Sequence, residues 1–202
     1  MDNVKIGQLI FQLRTEQGLT QQQLGEQLGV SNKTISKWEC GNGAPEPSLW
    51  AGLSLALGAD VLKLLEGELR PNRPNPGRMD RIRFYVCPSC GNQLTSTGAA
   101  DLSCCGRRLS PLAANVDTDN CHTPKVAEMD GGFYVTLPHP MTKEHHFAFA
   151  ACVHDDRLWF QRLYPEQDCA FQVPDLRGRG ILYLYCTQHG LFRFPRFPDL
   201  QP

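Results

Sequence analysis

The sequence predicts a multidomain α plus β protein: a five-helix domain, a small cysteine-knuckle module and an all-β sandwich. Three observations predict it. Helical periodicity runs to about residue 66 and stops; a proline-spaced polar stretch follows; beyond it lie short β-branched and aromatic runs separated by Gly, Pro and Asp turns. At 202 residues the chain has room for two or three small cores. With 41% hydrophobic and 20% charged residues, disorder and collagen-like repetition are excluded. The most apolar stretch, 49–65, follows Pro47 and is broken by Asp60 and Lys63, and the N-terminus lacks the apolar run of a signal peptide. A cytoplasmic protein with no membrane span is therefore expected. A net charge of −1 excludes a globally basic nucleic-acid binder and leaves only local patches.

The helices follow in order. Ile6, Leu9, Ile10 and Leu13 form one apolar stripe that ends at Gly18. Thr20 and Gln23 have capping-box spacing, with Leu24 and Leu28 buried and Gly29 as the stop. Ser31 caps a third helix that turns Ile35 and Trp38 inward and leaves Asn32, Lys33, Ser36 and Lys37 outside. A fourth helix follows Pro45 and Pro47, carries Leu49, Leu53, Ala56 and Leu57, and stops at Gly58. A fifth spans about Val61 to Glu66. The helical domain is assigned to 1–67 and a semi-rigid linker, with Pro71, Pro74 and Pro76, to 68–83. A cysteine module follows at 84–112. The β domain, 113–202, is expected to have strands at 133–137, 146–153, 158–163, 169–173 and 181–186.

Two short helices joined through Gly29-Val30-Ser31, the second exposing Asn, Lys, Thr and Ser at its start, suit a major-groove reader. The run LTQQQLGEQLGVSNKTISKWECG, residues 19–41, resembles the Xre/Cro helix-turn-helix family, and the resemblance covers about residues 3–66. It implies a domain that binds double-stranded DNA as a dimer. Gln21 and Gln22 would approach phosphates, and Asn32, Lys33, Thr34, Ser36 and Lys37 would face the groove. The local charge balance, 10 basic against 9 acidic residues over 1–83, is small, and a helical domain used only for protein contact is the bland alternative.

Nine cysteines and six histidines are the compositional oddity. Only Cys40 precedes the linker. An odd cysteine count without a secretion signal points to reduced thiols or metal ligands. Cys87-Pro88-Ser89-Cys90-Gly91 is a metal knuckle: the two-residue spacer aims both thiolates at one ion, and Gly91 relieves the turn. Cys104 and Cys105 are adjacent, and neighbouring side chains diverge, so a site using both should be distorted. The run YVCPSCGNQLTSTGAADLSCCG resembles desulforedoxin, a rubredoxin-like module with iron in a distorted four-thiolate site, over about residues 84–110. Four thiolates accept iron or zinc.

HPMTKEHH contains His139, His145 and His146; YCTQHGLF contains Cys186 and His189 at metal-ligand spacing. These motifs resemble the catalytic domain of superoxide reductase, or desulfoferrodoxin, over about residues 118–195. The resemblance implies an immunoglobulin-like sandwich holding a mononuclear iron with four imidazoles in a plane and one axial thiolate. Matched motif by motif, the ligands are His122, His139, His145, His189 and Cys186. His146 is read as a strand residue, and His154, beside Asp155 and Asp156, as part of an exposed turn. Neutral imidazoles suit ferrous iron and a thiolate donates density to it. Superoxide then takes one electron and two protons to become hydrogen peroxide, the electron coming from a donor such as a rubredoxin. One departure stands out. The family carries a Glu-Lys pair before its first histidine, where the lysine attracts superoxide; this chain has Asn120 and Cys121. Lys143, inside HPMTKEH, is the candidate substitute. Three readings stay open: a superoxide reductase fused to a DNA-binding domain, a redox- or metal-sensing regulator with little turnover, and a DNA-binding protein with two structural zinc sites.

Overall fold

The computed structural model describes residues 2–69, 71–75, 77–116, 121–176 and 178–200. Pro76 of the proline-rich stretch and Asn120 before His122 lie outside the described residues. The chain separates into two compact units, 1–72 and 73–202, each with its own core. No helix among the described residues is long and apolar enough to cross a membrane.

The first unit contains α1 (Asn3–Glu16), α2 (Gln21–Leu28), α3 (Asn32–Glu39), α4 (Trp50–Leu57) and α5 (Val61–Glu66). Each boundary has a local cause. Asp2 accepts the Val4 and Lys5 amides at the start of α1, and Thr20 and Gln23 form the reciprocal capping box of α2. Gly29, Gly58 and Gly67 close α2, α4 and α5 in the left-handed conformation. The prolines shape the entry to α4: a single 3₁₀ turn, Pro47–Leu49, precedes the α-helix, which starts at Trp50. The apolar stripe of α1 meets Leu24, Ile35, Trp38, Trp50, Leu53, Leu57 and Leu64 in one core.

The second unit begins with β1 (Arg83–Val86), β2 (Gln93–Ser96), β3 (Leu102–Cys104) and β4 (Arg107–Leu109), two hairpins that carry the four cysteines. It continues through β5 (Ala114–Asn115), β6 (Lys125–Met129), β7 (Gly132–Thr136), β8 (Phe147–His154), β9 (Arg157–Arg162), β10 (Ala170–Pro174), β11 (Gly180–Cys186) and β12 (Gly190–Phe197). A five-stranded sheet of order β5-β12-β11-β8-β9 faces a three-stranded sheet of order β10-β7-β6. Leu182, Leu184 and Phe192 from the larger sheet meet Val135, Phe171 and Val173 from the smaller.

The other face of the large sheet is covered as well. Met79, Ile82 and Phe84 pack on Phe149, Ala151, Val153 and Tyr183, with Phe84 rings 5.5 Å from Phe149 and 5.0 Å from Tyr183. A central strand buried on both faces reads as a continuous apolar run, which explains FAFAACV in β8. Met79 and Ile82 come from the stretch read as linker; a 3₁₀ turn at Met79–Arg81 already belongs to the second unit.

Candidate metal centres and nucleic-acid interface

The β11–β12 hairpin and two loops build one cluster. Cys186 ends β11 and pairs across the turn with Gly190, whose φ of 84° closes a tight connection holding His189. His139 and His145 lie in the segment between β7 and β8. There the Thr142 hydroxyl accepts the His145 amide at 3.0 Å and the Thr142 amide reaches the His145 carbonyl at 2.9 Å. Thr187 fastens this segment to the hairpin: its amide donates to the His146 carbonyl at 3.0 Å, and its hydroxyl accepts the His146 amide at 3.2 Å. His122, just before β6, stacks on Phe192 at 4.4 Å.

His122, His139, His145, His189 and Cys186 each turn one ligand atom into a space where all five lie within 4.8 Å of one another. His189 Nδ1 is 3.1 Å from His122 Nε2 and 3.2 Å from His145 Nε2. Cys186 Sγ is 3.5 Å from both His139 Nε2 and His189 Nδ1. Ring contacts run in a closed cycle, His122–His139–His145–His189–His122, at centroid separations of 4.9, 4.5, 4.9 and 4.7 Å. Adjacent nitrogens around an ion at about 2.1 Å stand about 3.0 Å apart in a square. The cycle and its 3.1 and 3.2 Å edges have that form, with the thiol against two opposite corners.

Burial grades across the centre. His122, His139 and Cys186 are buried, His145 is half-buried and His189 is exposed. Burial, and then the other imidazoles, drives the His139 imidazolium down to about 4 and lowers His145 as well. Both rings are therefore neutral near pH 7, the form a metal needs.

The four cysteines of the knuckle module also converge, each Sγ within 4.8 Å of the others. Tetrahedral thiolates at about 2.3 Å from an ion stand about 3.8 Å apart; Cys90–Cys104 is 3.5 Å and Cys104–Cys105 is 3.9 Å. The adjacent pair reaches one point because Cys105 adopts φ 51°, a left-handed residue that turns its side chain back beside Cys104. The Ser89 amide, with help from Cys90, lowers Cys87 to about 6, whereas its thiol neighbours, Cys90 first, push Cys105 up to about 12. The donor set fits iron or zinc.

On the helical unit, Asn32, Lys33 and Lys37 are exposed on α3, and Thr34 and Ser36 are half-buried beside them. Gln22 is exposed, its amide on Glu26 at 3.0 Å. Gln21 is half-buried and donates to Glu39 at 2.7 Å. Glu39 also takes two bonds from the buried Arg14, at 2.6 and 3.1 Å, and Arg14 donates a third to the Leu19 carbonyl. This network ties α1, the start of α2 and the end of α3 together. Only Arg14's place beside the apolar stripe of α1 marked it in the sequence.

Comparison with known proteins finds two separate resemblances. The Helix-turn-helix family model matches residues 10–64. The HTH-type transcriptional activator BcrR of Enterococcus faecalis is 42% identical over 65 residues, 32% of this chain and 32% of its own length. Desulfoferrodoxin of Desulfarculus baarsii is 28% identical over 120 residues, covering 55% of this chain and 94% of its own. A desulfoferrodoxin homolog of Methanothermobacter thermautotrophicus is 29% identical over 119 residues, 54% of this chain and 95% of its own. The chain joins a helix-turn-helix domain to a desulfoferrodoxin-like module.

Within the desulfoferrodoxin-like module two histidine readings need correction. His154 is not in an exposed turn: β8 runs one residue further, the turn starts at Asp155, and the buried His154 ring lies over Gly178. His146 is not in the strand. It precedes β8 and points its Nδ1 at the Thr142 carbonyl at 3.1 Å, outside the five-residue cluster. Lys143 is exposed, its ammonium 3.6 Å from Glu166. Thr142 and Thr187, which lock the ligand-bearing segments together, are the residues the sequence reading missed. A hydroxyl residue inside each ligand motif was the available signal.

Proposed function

We propose that this chain is a DNA-binding protein whose C-terminal centre is a mononuclear non-haem iron superoxide reductase. The closed cycle of four imidazoles with Cys186 against two opposite members is the observation that carries the reading. Residues His122, His139, His145, His189 and Cys186 would hold the iron, which, when bound, supplies one electron to superoxide; with two protons the product is hydrogen peroxide. The protein's own part is to keep His139 and His145 neutral by burial, to shelter the thiol in the core, and to leave the His145–His189 side facing solvent, where a small anion enters. A small redox protein of the rubredoxin type would return the electron, and Cys87, Cys90, Cys104 and Cys105 would hold a second iron or a zinc. The exposed face of α3, with Asn32, Lys33 and Lys37, and with Gln22 nearby, would read double-stranded DNA, the chain acting as a homodimer in the cytoplasm.

Lys143 is the cation proposed to draw superoxide in. Replacing it, Lys143→Ala, should slow the second-order reaction of the reduced protein with superoxide about fivefold at low salt, the difference shrinking as ionic strength rises. Pulse radiolysis measures this, and equal rates at every salt concentration would remove Lys143 from the mechanism. The Lys143–Glu166 pair and Cys121 in place of the family's lysine favour a second reading, a redox-responsive regulator with little turnover. That reading requires DNA affinity to differ between oxidation states.

A further inference from the structure

The metal-ligand end of β8 depends on a single irregularity. Along β8, Phe149, Ala151 and Val153 face the knuckle module, and Ala150 and Cys152 face the sandwich core. Continued alternation would send Phe147 toward the knuckle module as well. Instead Phe147 lies in the sandwich core, its ring 4.3 Å from His139 and 5.8 Å from His122. The register explains the reversal: Tyr185 pairs with Phe149, but Cys186 pairs with Phe147, so Ala148 is an extra residue opposite β11. This bulge turns Phe147 and the chain leading back to His145 and His146 toward the metal cluster.

The bulge interrupts the ladder on the β11 side only: toward β9, next to the Phe149–Arg162 pair, Ala148 stands opposite Leu163 and keeps its rung, and its carbonyl oxygen has a second lone pair to offer. The Ala148 carbonyl accepts the Leu163 amide at 3.0 Å and the side-chain amide of Gln93 at 3.3 Å. Gln93 belongs to the other metal module. It opens β2, pairs with Val86, and directly follows Asn92, whose carbonyl accepts the Cys87 amide.

We propose that Gln93 is a positioning residue for the four-histidine, one-cysteine centre: it clamps the Ala148 bulge and so couples the fold of the cysteine knuckle to the placement of Cys186 and Phe147. This rests on the reading of that cluster as a metal centre. The coupling needs no electron transfer between the centres; it passes through one hydrogen bond and the register of β8.

The test uses the full-length protein with one equivalent of zinc on the four-cysteine site, titrated with cobalt(II) and followed through thiolate-to-cobalt absorption from Cys186. Gln93→Leu keeps the bulk and removes the donor, and should weaken cobalt binding about tenfold and alter the thiolate band. Gln93→Lys retains an N–H donor and should restore both. Gln93→Glu, with the donor turned into an acceptor, should reproduce the loss and serves if the leucine variant does not fold. Wild-type affinity and an unchanged band in both Gln93→Leu and Gln93→Glu would overturn the clamp while leaving the metal centre standing. A wild-type protein with no thiolate-to-cobalt band would overturn the metal-centre reading itself, and the clamp with it.

Discussion

His139 shows how a residue's surroundings settle what its chemistry can be. Its motif, HPMTKEH, marked it as a ligand, but only the packing against Phe147 and His145 explains why its imidazolium is held near 4 rather than the ordinary 6.5. In the metal-free protein this has a direct consequence. As pH falls past about 6.5 the unfolded chain binds a proton at this residue, and the folded chain does not until about 4. Stability is therefore full above 6.5 and is lost across the window down to 4. The denaturation midpoint of the apoprotein should drop between pH 7 and pH 5, and the drop should be smaller in His139→Gln; equal slopes in the two proteins would contradict the assignment. The resemblance of the chain's motifs to superoxide reductase named His122, His139, His145, His189 and Cys186 together in the sequence, and these are the five side chains that converge. The orientation of His154 was not legible: two aspartates beside it suggest a turn, and only the pairing of His154 with Arg157 shows the strand extending that far.

At the scale of elements, the helices were readable because their ends are written in side chains, Thr20, Ser31 and Gly29 among them. The β12 strand was not, since LFRFPRF mixes a half-buried and an exposed arginine and an exposed proline with buried phenylalanines and so breaks the alternation of a strand; nor was β6, where four of the five residues of KVAEM are exposed. The Ala148 bulge is likewise invisible in sequence, because it is a property of register between β8 and β11. Helix contact distances are also set outside the local pattern. Gly7 lies where α1 crosses α3, and a Cβ built there would overlap the Trp38 carbonyl oxygen. Alanine at an ordinary helical site would gain about 1 kcal/mol over glycine. At Gly7 the overlap should win, and Gly7→Ala should destabilise the helical unit by about 2 kcal/mol as α1 and α3 separate. Chemical denaturation followed by helical circular dichroism measures the sign; an unchanged or raised midpoint would mean that propensity prevails.

At the scale of the whole molecule, the composition shift after residue 66 marked the partition into helical and cysteine- and histidine-rich parts. It did not reveal that the knuckle module and the sandwich share a core, because the residues that join them, Ile82 and Phe84 against Phe149 and Tyr183, are far apart in sequence. Five of the nine cysteines are gathered in the two clusters, four in one and Cys186 in the other. Cys152 is buried within the sandwich core and Cys169 packs against it; burial pushes their thiols up to about 11 and about 12, which makes them packing groups rather than reactive ones. The proposed function requires that the four-histidine, one-cysteine cluster hold an iron that reacts with superoxide. The most direct measurement is metal content and visible absorption of anaerobically purified protein before and after pulsed superoxide, for wild type and His139→Ala. The expected result is iron at this centre and a superoxide-dependent spectral change that His139→Ala abolishes. Zinc in both sites, with no change on exposure to superoxide, would contradict it.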